Sequence, residues 1–226
     1  MKITFYGQNT LLIEIENTKV LVDPFITGNP LSKDIVDIND LKVDFVLLTH
    51  AHQDHTLDAE AIAKNSSATI VSNYEIAMYY QNKGIEVHPM NHGGSWNFDF
   101  GKVKYVNAIH TSSFPDGTYG GQPGGFVIEG EHKTIYIAGD TALTMDMKLI
   151  PLGNTLDLAI LPIGDNFTMG VDDAIIASEF VECDKILGVH YDTFGYIEID
   201  HDDAKKKFFE KNKDLMLLEI GESIEL

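Results

Sequence analysis

Apolar and polar residues alternate through the first stretch of the chain. Ile3 and Phe5, then Leu11, Ile13 and Ile15, then Val20 and Val22 repeat with the period of two that marks half-buried strands. Gly7-Gln8-Asn9 and Glu16-Asn17-Thr18 supply the turns between them. Residues 24–42, broken by Pro24, Gly28 and Pro30, read as an irregular loop. The apolar run 43–48 predicts a buried strand that stops at Thr49. A helix over 57–64, a strand over 68–71, a helix over 73–82 closing before Gly84, and a strand over 85–88 follow. In the second half, strands are expected at 96–100, 103–108, 126–129, 134–138, 156–161 and 185–189, with a glycine-rich stretch at 111–125. Asp172 or Asp173 can cap a helix running to Val181. Asp200 can cap the last helix with Asp203 at its third position, and strands at 216–219 and 223–226 close the chain. Strand-rich halves with interleaved helices predict an α+β fold of two packed sheets with helices outside. No linker, composition shift or repeat appears, so one domain spanning 1–226 is the economical reading.

The 226 residues, 44% hydrophobic and 23% charged, suffice for a sizeable globular core. Sixteen basic against 35 acidic residues give a formal charge of -19, a surface that repels polyanions. Nucleic acid and anionic membrane are therefore not expected partners. Lys205, Lys206 and Lys207 lie among Asp202, Asp203 and Glu210 and read as a solvated helix face. Cys183 is the only cysteine and sits in an apolar stretch, as a buried structural thiol would. Charges and a glycine interrupt the N-terminal stretch, so neither a signal peptide nor a span is expected, and cytoplasmic residence is the default.

The chemistry concentrates at Thr49-His50-Ala51-His52-Gln53-Asp54-His55, directly after the expected strand at 43–48. In an extended segment His50 and His52 point the same way and can chelate one metal. Asp54 and His55 follow as the chain turns and can face an adjacent one. Imidazole and carboxylate ligands suit zinc, manganese, iron or nickel. These four residues cannot complete two metal shells. His110, Asp140 and His190 each end an apolar run, at the C-terminal end of an expected buried strand, where a rim site would be built.

The string from His50 to His55 matches the HxHxDH motif of the metallo-β-lactamase superfamily. Ala108-Ile109-His110, Ala138-Gly139-Asp140-Thr141 and Gly188-Val189-His190-Tyr191 resemble its remaining metal motifs, in the expected order. The stretch from Leu161 to Gly170, Asp140-Thr141-Ala142-Leu143 with Asp146-Met147, and His190-Tyr191-Asp192-Thr193-Phe194 resemble a branch of metal-dependent hydrolases. That branch is similar to L-ascorbate-6-phosphate lactonase-like proteins and, more remotely, to N-acyl phosphatidylethanolamine phospholipase D. The resemblance implies a four-layer αββα sandwich. It implies one metal on His50, His52 and His110, a second on Asp54, His55 and His190, and Asp140 bridging them. Many relatives carry histidine where this chain has Gln8. The resemblance makes Asp23, which ends the third strand, a brace for the histidine loop; an Asx turn before Pro24 is the alternative.

His88 and His92 read as loop residues, and His132 and His201 as surface residues. Residues 117–125 match neither a P-loop nor a dinucleotide fingerprint, and serve either as a substrate loop or as a connector. Asn166, Thr168 and Tyr191 sit just past strand ends and are candidate substrate contacts. The expected activity is hydrolysis of a small, anionic or ester-like substrate (lactone, phosphodiester or thioester) by a metal-bound hydroxide, with two divalent ions, zinc first, and Asp54 orienting the nucleophile. A ribonuclease Z-like nuclease and a non-hydrolytic metal-binding protein are the alternatives, and a homo-oligomer stays open.

Overall fold

A computed structural model describes residues 1–153 and 155–226. One seven-stranded sheet comprises β1 (Lys2–Phe5), β2 (Leu11–Ile15), β3 (Thr18–Val22), β4 (Phe45–Leu47), β5 (Thr69–Asn73) and β6 (Val87–Met90), with β14 (Ser223–Glu225) added beside β1. The other comprises β7 (Ser95–Phe98), β8 (Gly101–Asn107), β9 (Gly124–Gly130), β10 (Lys133–Ile137), β11 (Leu158–Pro162), β12 (Lys185–Val189) and β13 (Asp214–Met216), side by side in chain order. Strands β3 to β6 run parallel, as do β10 to β13.

Period-two alternation sorts the strand residues between two faces. Val20 and Val22 face the other sheet and pack in one cluster with Ile135, Ile137 and Leu187, whereas Leu21 faces outward. Outside the first sheet, Leu21, Val46 and Ile70 bury against Ile62 of α2 (Ala59–Ser66) and Ile76 of α3 (Tyr74–Gln81). Outside the second, Tyr136, Ala159 and Leu161 bury against Ala174 of α4 (Val171–Phe180) and Phe208 of α5 (His201–Glu210). Each fully buried aliphatic or aromatic side chain contributes about 1.5–3 kcal/mol. The result is the expected helix–sheet–sheet–helix sandwich. Among the described residues, no helix is long and apolar enough to cross a membrane.

Several boundaries differ from the sequence expectation. A short helix, α1 (Gln53–Thr56), forms inside the histidine string, and α2 starts later than position 57. Strand β9 begins at Gly124, so Gly124 and Gly125 leave the glycine-rich loop. Neither Asp172 nor Asp173 caps α4: Gly170 is the cap, and both carboxylates sit in the first turn, where they complement the helix dipole. Asp200 does cap α5, accepting from Asp203 N at 3.0 Å. Strand β13 ends at Met216 rather than starting there, because its register with β12 runs from Lys185↔Asp214 to Leu187↔Met216.

Candidate metal centre

Candidate donors come from the C-terminal ends of strands in both sheets. His50 follows β4, with Asp54 and His55 in α1; His110, Asp140 and His190 follow β8, β10 and β12. Asp23 follows β3. Asp23 and His190 adopt left-handed backbone, φ 43° and 57°, a conformation that costs a non-glycine residue about 1–3 kcal/mol. That turn swings each side chain off its strand and across the rim. Before Asp140, Gly139 has φ +63°, and a Cβ there would meet Thr49 Cβ at 2.8 Å. Only glycine lets the Asp140 loop come this close to the histidine loop.

Three donor groups result, the atoms within each lying within 4.8 Å of one another; Asp23 with His50 and His55 is a buried brace, and two others remain. One is His50, His52 and His110; the other is Asp54, His55, Asp140 and His190. Asp140 Oδ2 stands 3.0 Å from His190 Nε2, 3.5 Å from His110 Nε2 and 3.8 Å from His50 Nε2, so it faces both groups. His55 Nε2 lies 3.3 Å from Asp54 Oδ2 and 3.3 Å from Asp140 Oδ1.

Asp23, fully buried, ties the histidine loop together. Its Oδ2 accepts from Asn9 Nδ2 at 2.6 Å and Thr49 Oγ1 at 2.6 Å, and pairs with His55 Nδ1 at 2.9 Å; its Oδ1 accepts from Thr49 N at 2.8 Å. With its hydroxyl proton given to Asp23, Thr49 Oγ1 can only accept from His50 Nδ1, 3.0 Å away. Both His50 and His55 therefore keep the proton on Nδ1 and turn Nε2 towards the donor cluster. The sequence reading of Asp23 as a brace corresponds to this contact, and Thr49, which carries it to His50, was not foreseen. Nor was Gln8, whose Nε2 donates to Asp54 Oδ2 at 2.8 Å. The only signal for Gln8 was that it stands where relatives have histidine.

Charge divides the two groups. Burial, then the neighbouring His55 charge, holds His50 well below the ordinary imidazole range and lowers His52. Burial also lowers His110, against the pull of Asp140. In the other group burial is overridden. Asp140, Asp54 and Asp23 raise His55 well above that range, and Asp140 with Asp54 pushes His190 up to about 9. Reciprocally, against burial, His55 and His190 hold Asp54 and Asp140 far below the carboxylate range.

The donor set fits divalent cations. Buried His55 Nε2 and Asp140 Oδ1 stand 3.3 Å apart without hydrogen-bond alignment and have no hydrogen-bond partner among the described residues, although buried polar groups are normally paired. Imidazoles and carboxylates converge on a shared space, a combination suited to zinc and its first-row neighbours.

The cluster floors a cleft of about 760 Å³, whose walls carry Phe25, Gln53, Thr111, Phe167, Phe194 and Tyr196. Three expected substrate contacts are not in this wall. Asn166 and Thr168 flank Phe167, which takes the place expected of them. Tyr191 is buried, stacks on Phe5 at 6.3 Å and lines a separate cavity, because the left-handed turn at His190 sends the next side chain the other way. Residues 117–125 do not line the cleft either. Gly120 O accepts from Ser112 Oγ, which in turn accepts from Ala51 N, so this loop buttresses the back of the histidine loop. His88, between Trp96 and Phe98, and His92, on Pro123 O, lie outside the cluster, while His132 is exposed and His201 pairs with Asp192. Cys183 is buried, as expected.

Comparison with known proteins bears on the fold and the family. A family profile described as the beta-lactamase superfamily domain matches residues 18–191. A UPF0173 metal-dependent hydrolase of Christiangramia forsetii is 81% identical over the full length of both chains, and one of Flavobacterium johnsoniae is 74% identical, also over both full lengths. The solved structure of Igni18, a metallo hydrolase of the archaeon Ignicoccus hospitalis, superposes with a TM-score of 0.89 at 31% identity, covering 100% of this chain and 98% of that one. With motif, fold and full-length relatives in agreement, the chain belongs to the metal-dependent hydrolases of the metallo-β-lactamase superfamily.

Proposed function

We propose that this chain hydrolyses a small ester-like molecule, a lactone, phosphodiester or thioester, using two divalent cations, zinc first and manganese, nickel or iron behind it. The observation that carries the reading is the pair of adjacent donor groups at the floor of an open cleft, with Asp140 of the second group also 3.5 Å from His110 and 3.8 Å from His50 of the first. His50, His52 and His110 would hold one cation, and Asp54, His55 and His190 the other, with Asp140 common to both. Such ions supply Lewis acidity, which lowers the pKa of a water and polarises the scissile bond. Asp54 is the more exposed carboxylate of the cluster, 25% against 3% for Asp140. It is therefore the one suited to accept a hydrogen bond from the attacking water. Gln8 steadies Asp54 from behind, and Asp23 and Thr49 fix the tautomers of His55 and His50. Among the described residues no serine or cysteine lines the cleft, and Cys183 is buried elsewhere, so the nucleophile is assigned to water.

The test is a hydrolysis panel of lactones, bis(p-nitrophenyl) phosphate and thioesters, run on protein of measured metal content and on chelated protein. Turnover of an ester class by loaded protein alone is expected. Cleavage of RNA with a steep salt dependence, alongside inertness to every small ester, would replace this reading with a nuclease.

A further inference from the structure

Four aromatic rings stand above the donor cluster. Phe25 follows β3, Phe167 follows β11, and Phe194 and Tyr196 follow β12. Phe25 and Phe194 lie 6.2 Å apart between centroids, and Phe167 meets Tyr196 edge to face at 6.2 Å. Phe167 is 50% exposed and Tyr196 78% exposed, at the mouth of the cleft. Large apolar side chains left in water beside a concave site mark a surface that a ligand covers.

The remainder of the wall is equally informative. Apart from the metal donors its polar side chains among the described residues are Gln53, Thr111 and the hydroxyl of Tyr196, none of them a cation, and no lysine lines it. The chain has no arginine at all: its 16 basic residues are all lysine. A phosphate or carboxylate carried away from the reacting bond would find no cation there and no bidentate guanidinium clamp. It would also approach a protein of formal charge -19.

We infer that the substrate is an uncharged carboxylic ester or lactone bearing an apolar group of several carbons or an aryl ring. That group packs on Phe25, Phe167, Phe194 and Tyr196 while the ester carbonyl lies at the donor cluster. The inference rests on the hydrolytic reading above and narrows it. Water adds its oxygen to the acyl carbon and the acyl–oxygen bond breaks. One proton goes to the leaving alkoxide, and the other is released as the new acid ionises. The product carboxylate is then repelled by the acidic exterior, which assists its departure.

Two measurements on zinc-loaded protein separate this inference from the reading beneath it. Turnover of p-nitrophenyl acetate, butanoate and hexanoate should give a kcat/KM that rises about two- to fourfold per added methylene. A Phe167→Ala/Tyr196→Ala double variant, altered only at exposed rings, should flatten that slope. Calorimetry with the non-hydrolysable amide N-phenylhexanamide should show binding, weakened about tenfold or more in the double variant, and weaker still for the same amide phosphorylated at its chain end. No binding of the neutral amide, equal binding by the variant, or tighter binding of the phosphorylated form would overturn the inference. Amide binding that depends on the aromatic wall, without turnover of any ester, would uphold the apolar site and remove the hydrolytic reading instead.

Discussion

Replacing Asp23 with asparagine perturbs both donor groups without altering a donor. The side chain is fully buried, with three partners on Oδ2 and Thr49 N on Oδ1. An asparagine keeps the shape and retains most by leaving its oxygen with the three partners. Its amide then faces Thr49 N, so one buried hydrogen bond becomes a donor against a donor, costing about 1–3 kcal/mol. The remaining three bonds lose their charge assistance, roughly 1 kcal/mol more in total. We expect a fall of about 2–4 kcal/mol in unfolding free energy, read by urea denaturation of chelated protein. Zinc affinity, read by competition with a chromophoric chelator, should drop about 10- to 100-fold because the bonds that hold His55, and through Thr49 also His50, are weakened by the loss of the carboxylate charge. Stability within about 0.5 kcal/mol of wild type together with affinity within about twofold would refute the account of Asp23, since such changes are those of an ordinary surface substitution.

Three further outcomes follow from the same geometry. Gln8→Ala removes the 2.8 Å bond to Asp54 and should weaken the cation held with Asp54, His55 and His190 about tenfold, measured by the same competition. His52→Ala, half-buried and outside the three apolar clusters, should reduce turnover at least about 100-fold while circular dichroism and melting stay near wild type; retained turnover at wild-type metal content would remove His52 from the site. Before a cation binds, His190 titrates at about 9 and His55 lies well above its ordinary range, so loading at pH 7 should release protons, read by calorimetry in buffers of different ionisation enthalpy. The sign is fixed: a raised histidine stabilises the cation-free fold below its unfolded pKa of about 6.5 and loses that contribution as pH climbs towards 9, so metal affinity should rise over that window.

Much of the centre was legible because its residues are local or end a strand. His50 to His55 fall within one string, and His110, Asp140 and His190 each close an apolar run. The layer architecture was legible for a similar reason, since alternation such as Val20-Leu21-Val22 fixes which face meets which layer. What escaped depends on contacts distant in sequence or on backbone sign. Gln8 meets Asp54 across 46 positions, and nothing local marks the pair. The left-handed turn at His190 sends Tyr191 away from the cleft, whereas Phe194 and Tyr196, further along the same loop, return to it. Phe167 and Tyr196 are exposed rings in turn-rich segments, where no periodicity singles out an aromatic wall.

Metal stoichiometry tests the central claim most directly. After reconstitution and gel filtration, elemental analysis should find about two divalent cations per chain, one for each of the two adjacent donor groups, and about one in Asp54→Ala. A wild-type value that stays near one, unchanged by Asp54→Ala, would contradict the second site and the two-cation account built on it.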